Sequence, residues 1–287
     1  MNRISLGFIA AGGLALVAGP ANAELMYGTT ASNFLVSFDS LSPGNTLSGF
    51  SVTGLAQNEE IIGLDLRPST GQLYALGSQG NMYILNPANG AAASLGQITG
   101  AVLNGSAFGF DFNPVADRIR IQSDVDQNLR VNPFVVPNSA IVDGVIVYAP
   151  GDPNAGADQD VSFSAYSNNF AGALSTTLYA IDADNDTLSF FQNPNDGQLT
   201  TIGLLGVDIG PLGGFDISGT SGFAYLAALP SNSSTSELFR VNLATGALTS
   251  LGEVAGGLEM RTLTIVPAPS SVALVGLAAL GLRRRRN

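Results

Sequence analysis

Residues 63–96, GLDLRPSTGQLYALGSQGNMYILNPANGAAASLG, form a unit that returns along the chain. The end of the unit, NPANGAAASLG at 86–96, reappears as NPNDGQLTTIG at 193–203 and NLATGALTSLG at 242–252, each reading N-x-x-x-G-x-x-x-[ST]-[LI]-G. Its start, Gly63-Leu64-Asp65-Leu66, is matched by Gly109-Phe110-Asp111-Phe112 and Gly214-Phe215-Asp216-Ile217. An offset of 46 residues carries Pro68 onto Pro114 and Asn86-Pro87 onto Asn132-Pro133. A repeat of this length denotes supersecondary units that cover one another's apolar faces.

Outward from that unit, residues 24–266 alternate apolar and polar in short bursts divided by Gly, Asn, Asp and Pro, the pattern of strands joined by tight turns. Strands are predicted at 25–30, 34–38 and 47–52, with a turn at 42–45. Four-strand repeats follow at 61–66, 73–76, 82–85 and 92–96; at 108–112, 118–122, 129–132 and 141–148; at 161–166, 178–182, 188–192 and 199–205; and at 215–217, 223–228, 238–241 and 248–251. Residues 151–160 read as a loop. The strand left over, 261–266 (RTLTIV), resembles the first strand of a repeat, and the N-terminal segment is a repeat that lacks one. Pairing the two closes a ring and removes the open edges of a linear array. The expected fold is all-β, a five-bladed β-propeller whose last blade is completed by the C-terminal strand. An open β-solenoid is the rival, with repeats that are usually shorter.

The composition, 45% hydrophobic and 11% charged, is ample for a core and excludes a disordered chain. Six arginines stand against 22 acidic residues between Glu24 and Glu259, a net charge of about −16 that argues against nucleic acid as a partner. The chain has no Cys, His or Lys, which removes disulfides, zinc thiolate sites and every catalytic scheme built on those side chains. Any chemistry falls to carboxylates.

Both ends read as addresses. Residues 1–23 carry Arg3, the apolar run 4–17 and a small-x-small site at Ala21-Asn22-Ala23, a secretory signal cleaved after Ala23. At the other end, residues 267–287 join Pro267-Ala268-Pro269 to the apolar run 270–282 and the cluster Arg283, Arg284, Arg285 and Arg286. An arginine cluster after an apolar run keeps that end cytoplasmic during export, and thirteen apolar residues suit a transient inner-membrane association better than a permanent span. This order resembles the PEP-CTERM sorting signal of Gram-negative bacteria, with Ala268 where that signal usually carries Glu. The resemblance implies an exosortase-type membrane transpeptidase as partner and a cell-surface or extracellular destination. A plain C-terminal membrane tail is the alternative. Residues 109–133, GFDFNPVADRIRIQSDVDQNLRVNP, with 63–68 and Leu73-Tyr74-Ala75, resemble a bacterial family with domain of unknown function 4394, which implies no catalytic residue.

Three sets of side chains are candidates for function. Asp65, Asp111 and Asp216 recur at one place in the repeat, with Ser164 and Thr264 expected at the same place in the remaining units. A repeated short acceptor points to backbone tethering inside each blade; paired carboxylates about 5–10 Å apart in an open pocket would instead point to glycoside cleavage. The segments Asp182-Ala183-Asp184-Asn185-Asp186 and Asp124-Val125-Asp126-Gln127-Asn128 space oxygens as calcium loops do, but Thr187 and Leu129 stand where the sharp-turn glycine belongs. Ordinary turn chemistry accounts for both. No cofactor is expected, with calcium at Asp182, Asp184 and Asp186 as the one metal candidate.

The third set comes from strict alternation in the second repeat. Ile119, Ile121, Leu129 and Val131 fall on one face; Arg118, Arg120, Gln122, Asn128, Arg130 and Asn132 fall on the other. Three of the domain's six arginines thus share a face, either paired with acids such as Asp111 or lining a groove for a carboxylate or sugar. The reading that follows is an exported, non-enzymatic binding or structural protein acting on extracellular polysaccharide or another surface component, with a carboxylate-dependent glycosidase or lyase as the alternative.

Overall fold

The computed structural model describes residues 23–135 and 137–267, and every regular element among them is a β-strand. In chain order, β1 (Leu25–Thr29), β2 (Phe34–Asp39) and β3 (Ser42–Ser51) form a first antiparallel meander. β4 (Ile61–Leu66), β5 (Leu73–Gly77), β6 (Asn81–Leu85) and β7 (Ala92–Thr99) form a second. β8 (Phe108–Asn113), β9 (Arg118–Ser123), β10 (Asn128–Asn132) and β11 (Asn138–Val142) form a third, followed by the short β12 (Val147–Tyr148). β13 (Val161–Tyr166), β14 (Leu178–Asp182), β15 (Thr187–Phe191) and β16 (Gln198–Leu204) form a fourth. β17 (Ile209–Ile217), β18 (Ala224–Pro230), β19 (Glu237–Val241) and β20 (Leu248–Glu253) complete the series.

The leftover strand, β21 (Thr264–Ile265), pairs antiparallel with β1 through Met26–Ile265 and Tyr27–Thr264, so the two chain ends share one sheet. The innermost strands then lie side by side in a closed order: β4 against β8, β8 against β13, β13 against β17, β17 against β21, and β21 back against β4. This is a propeller-like arrangement, with the first strand of four meanders and β21 at a common axis.

Both faces of most meanders are apolar because each is covered by a neighbour. Leu73 and Ala75 pack with Leu35, Ile61 and Leu64 toward the preceding unit, while Tyr74 and Leu76 pack with Phe110, Phe112 and Ile119 toward the next. Tyr74 meets Phe112 edge-on, with ring centroids 5.0 Å apart. Phe215, Leu226 and Phe239 fill the next-to-last seam with Phe163 and Ile181, and Met26, Val36 and Phe38 fill the last with Tyr225 and Leu263. The seam between β8–β11 and β13–β16 breaks this rule, since its second-repeat side is the arginine face.

The recurring N-x-x-x-G is the turn before each outer strand. Asn86 Oδ1 accepts the Ala88 N–H at 2.9 Å, and Gly90 donates to the Asn86 carbonyl at 2.8 Å with φ at +72°. A Cβ on Gly90 would also lie 2.6 Å from the Ser51 carbonyl oxygen of the preceding meander, so the glycine serves the contact as well as the turn.

Several predicted boundaries shift: β17 starts at Ile209 where 215 was expected, β21 covers only Thr264–Ile265 of 261–266, and two further differences have a visible cause. The turn expected at 42–45 lies inside β3, and the chain reverses at Ser40-Leu41, where Asp39 Oδ1 accepts the Leu41 N–H at 2.8 Å. The single strand expected at 141–148 is two: β11 ends at Val142, Asp143-Gly144 turns the chain outward, and β12 pairs in parallel with β16 of the following unit. β7 and β11 likewise pair in parallel at their outer ends, through Ile98–Asn138 and Thr99–Ser139, which merges two meanders into one eight-stranded sheet. The signal segment up to Asn22 and the tail from Ala268 lie outside the described residues.

Candidate functional site

The G-x-D stretch of β4, β8 and β17 works between units. Asp65 Oδ1 accepts the N–H of its own neighbour Leu66 at 2.7 Å, while Oδ2 accepts the Phe112 N–H of the next unit at 2.8 Å. Asp216 repeats this with Ile217 at 2.6 Å and Ile265 at 2.6 Å, and Asp111 takes the Tyr166 N–H at 3.1 Å. Tethering within each blade, expected from the repeat, is therefore only half of the arrangement; the other half latches each unit to its successor. The glycine two residues earlier permits the approach: a Cβ on Gly214 would lie 2.0 Å from the Leu263 nitrogen.

The latch register also corrects the reading of Ser164. Phe112, Ile265 and Tyr166 hold corresponding places as donors, so the partners one residue before them are Asp111, Thr264 and Ala165. Cross-strand pairing agrees, with Asp65 opposite Tyr74, Asp216 opposite Tyr225, Thr264 opposite Tyr27 and Ala165 opposite Tyr179. β4 and β13 share an irregularity at the same place, between Ile61 and Gly63 and between Val161 and Phe163, so Ser164 corresponds to Leu64 and lies against Gly109. One unit thus lacks an oxygen-bearing side chain at the axial position.

Three carboxylates meet as a result. Asp65, Asp111 and Asp216 are each 1% exposed, and one oxygen from each lies within 4.8 Å of the others. No arginine pairs with them among the described residues. Burial, then the charge of Asp216, holds the Asp65 carboxyl well above the ordinary carboxylate range. Burial and the charges of Asp65 and Asp216 do the same to Asp111, and burial pushes Asp216 up to about 6.

Thr264 Oγ1 lies 3.0 Å from Asp65 Oδ1 and 3.1 Å from Asp216 Oδ2. A hydroxyl has one proton to donate, so the second contact needs a protonated carboxyl or a cation nearby. Asn169, absent from the sequence reading, comes from the loop after β13 and sets its Nδ2 3.4 Å from Asp216 Oδ1. Sealed from solvent, these acids do not form the open pair that glycoside cleavage requires.

The arginine face forms a separate site in the polar seam. A cleft of about 190 Å³ is lined by Arg118, Arg120 and Arg130 on one side and by Tyr166 and Asn195 on the other. Arg120, 3% exposed, donates to Asn128 Oδ1 at 2.9 Å, Asp143 Oδ2 at 2.7 Å and Asn195 Oδ1 at 2.7 Å. Asn128 is held in turn by the Gly144 and Pro194 carbonyls at 3.0 and 2.8 Å, which makes it a positioning residue for Arg120. Arg130 reaches Asp143 Oδ1 at 3.1 Å and leaves a buried Nε without a partner among the described residues.

Among the described residues Arg118 bonds only to the Ala116 and Asp117 carbonyls, at 3.4 and 2.8 Å, and its guanidinium carbon lies 5.8 Å from the Phe134 ring centre. The acid expected as partner, Asp111, is at the axis; Asp143 takes that role. Sequence reading placed Asp143 inside a strand, although the Asp-Gly dipeptide in an apolar run is itself a turn signal.

The metal candidates at the β14–β15 hairpin do not converge. Asp182 accepts Tyr148 Oη at 2.6 Å and the Asn185 N–H at 2.9 Å, Asp184 is exposed, and Asp186 accepts the Ile209 N–H at 3.1 Å. The same is true of the second segment, where Asp124 binds the Ser106 N–H at 2.8 Å and Asp126 binds Gln159. Pro267 and Ala23 stand at the limits of the described chain, while Ala268, Pro269 and Arg283 to Arg286 fall outside it. No helix of the described residues is long and apolar enough to cross a membrane.

The fold and these two sites define a class, an all-β propeller-like protein with a latched axis and one polar seam. The chain belongs to the family described as Domain of unknown function (DUF4394), whose model matches residues 34–264. No curated protein matches the chain in sequence. Among solved structures it is similar to a structural genomics protein of unknown function from Bacteroides thetaiotaomicron, with a TM-score of 0.53 at 12% identity over 87% of this chain and 68% of that one. It is also similar, at a TM-score of 0.46 and 12% identity, to the Myceliophteria thermophila Cps50 (Swd1) β-propeller domain, over 85% of this chain and 87% of that one. At 12% identity the first of these likenesses is one of fold alone.

Proposed function

We propose that the chain is an exported five-bladed propeller that binds an acidic polysaccharide at the cell surface or in the extracellular matrix. Residues 1–23 are its signal peptide, 24–266 the binding domain, and 267–287 the segment processed by an exosortase-type transpeptidase. The closed order of β4, β8, β13, β17 and β21 supports the blade number. The observation that carries the binding reading is the seam cleft: three arginines face it, with Asp143, bonded to Arg120 and Arg130, as the one acidic partner among the described residues, on a domain that is otherwise strongly acidic. An arginine fork matches a carboxylate in two parallel hydrogen bonds, and Tyr166 and Asn195 add groups suited to sugar hydroxyls. Because the repeated aspartates are sealed inside, binding without turnover fits better than cleavage.

Titration calorimetry with uronic-acid oligosaccharides and neutral oligosaccharides of the same length tests this. Binding of the acidic series is expected, with a loss of tenfold or more in Arg118→Ala and Arg130→Ala, about the 1.5–3 kcal/mol of a charge-assisted hydrogen bond. Equal affinity for neutral chains, or variants that bind as the parent does, would remove the cleft from the function.

A further inference from the structure

We propose that Asp65, Asp111 and Asp216, together with Asn169, form a binding site for one hard divalent cation, calcium, on the axis of the ring. The site is independent of the polysaccharide reading. For three oxygens no more than 4.8 Å apart there is a point within about 2.8 Å of all of them, close to the 2.3–2.6 Å of calcium–oxygen bonds. The donor set is all oxygen, which selects a hard ion, and the chain has no His or Cys to favour a softer one.

Asn169 supplies the second, independent sign. It is 6% exposed, its amide nitrogen touches Asp216, and its Oδ1 is buried with no partner among the described residues. A carbonyl oxygen left bare at a buried carboxylate cluster is an unspent ligand. Asn169 also belongs to the unit whose axial residue is Ala165, so it approaches the ring where an oxygen is missing. Thr264, with its one proton between two carboxylates, is relieved by a positive charge there, whether a cation or a shared proton. Finally, residues one and two places before the aspartates, Leu64, Gly109, Phe110 and Gly214 among them, line an axial cavity of about 20 Å³, room for a single water in the layer next to the carboxylates.

The test uses the purified full chain, stripped with chelator and returned to calcium at pH 7.5. Elemental analysis should find one calcium per chain, and the melting midpoint should rise by about 5 °C or more at calcium 100 times its Kd. The rise should vanish in Asp111→Asn and shrink in Asn169→Ala, while Asp184→Asn, in the β14–β15 hairpin, keeps it. If Asp111→Asn fails to fold, the parent's stoichiometry and the Asn169→Ala shift still decide. No bound calcium with identical midpoints overturns the proposal and leaves shared protons as the neutralising charge. A shift lost in Asp184→Asn but kept in Asp111→Asn also overturns it, by placing the ion in the hairpin.

Discussion

At the scale of single residues, placement decides what each acid does. Asp160, half-buried before β13, is pushed up to about 6 by burial, against its hydrogen bond to Ser162 and with Asp124, Asp184 and Asp182 adding to the rise. Its folded value lies above the ordinary value near 3.9, so the folded state keeps a proton that the unfolded chain has released. Stability from this group is full below about pH 4 and is lost as pH rises through 6. Asp160→Asn should therefore match the parent at pH 4 and exceed it at pH 7 by about 1 kcal/mol, a value discounted for partial solvent screening. Urea unfolding at the two pH values measures this, and an equal difference at both would refute it. The repeated aspartates and the arginine face were legible because alternation assigns faces directly. Asp143 was not, since its role depends on a turn that leaves one sheet for the next. The Ser164 frame was not legible because β13 reads Phe163-Ser164-Ala165 and lacks the G-x-D signature that fixes the frame in β4, β8 and β17, so an oxygen-bearing side chain one residue away took the place.

At the scale of elements, the repeat motifs encode contacts between units more than structure within them. Gly214 shows this most sharply: its added Cβ would meet the Leu263 nitrogen at 2.0 Å and the Thr262 carbonyl carbon at 2.5 Å, and both are backbone atoms that cannot swing aside. Gly214→Ala is expected to cost about 3 kcal/mol or more through overpacking. Gly71→Ala is a fair control, since Gly71 sits at φ +70° with nothing within 4 Å, and its cost should be about 1 kcal/mol from the backbone alone. Chemical denaturation of both variants separates close approach from local strain; equal losses would mean that the seam adjusts. Strand order followed from the sequence, whereas the division of 141–148 into two strands and the parallel pairings of β7 with β11 and β12 with β16 did not. Those pairings join outer edges of different units, through segments whose alternation is too short to announce a partner.

At the scale of the molecule, closure rests on a very short strand. β21 contributes two residues to its ladder, yet the segment around it makes contacts on every side. Arg261 donates to the Thr29 carbonyl at 2.7 Å and Val266 to the Leu25 carbonyl at 2.8 Å, while Met260, Leu263 and Ile265 are buried against Met26, Val36 and Tyr225. Thr264 and the Ile265 N–H complete the axial latch with Asp65 and Asp216. Glu24 adds a second tie, accepting from Ser218 and, at 3.0 Å, from Ser221 at the β17–β18 turn. Removing the segment would expose the edge of β1 and the flanks of β4 and β17 together. A chain ended after Glu259 should therefore lose its cooperative thermal transition and bind a hydrophobic dye, while one ended after Pro267 should melt as the full domain does. The pair of truncations separates ring closure from the tail, because they differ by residues 260–267 alone. Retention of the parental transition in the shorter chain would mean that the other seams hold the fold without a closed ring. Loss in both would move the weight of closure onto residues beyond Pro267.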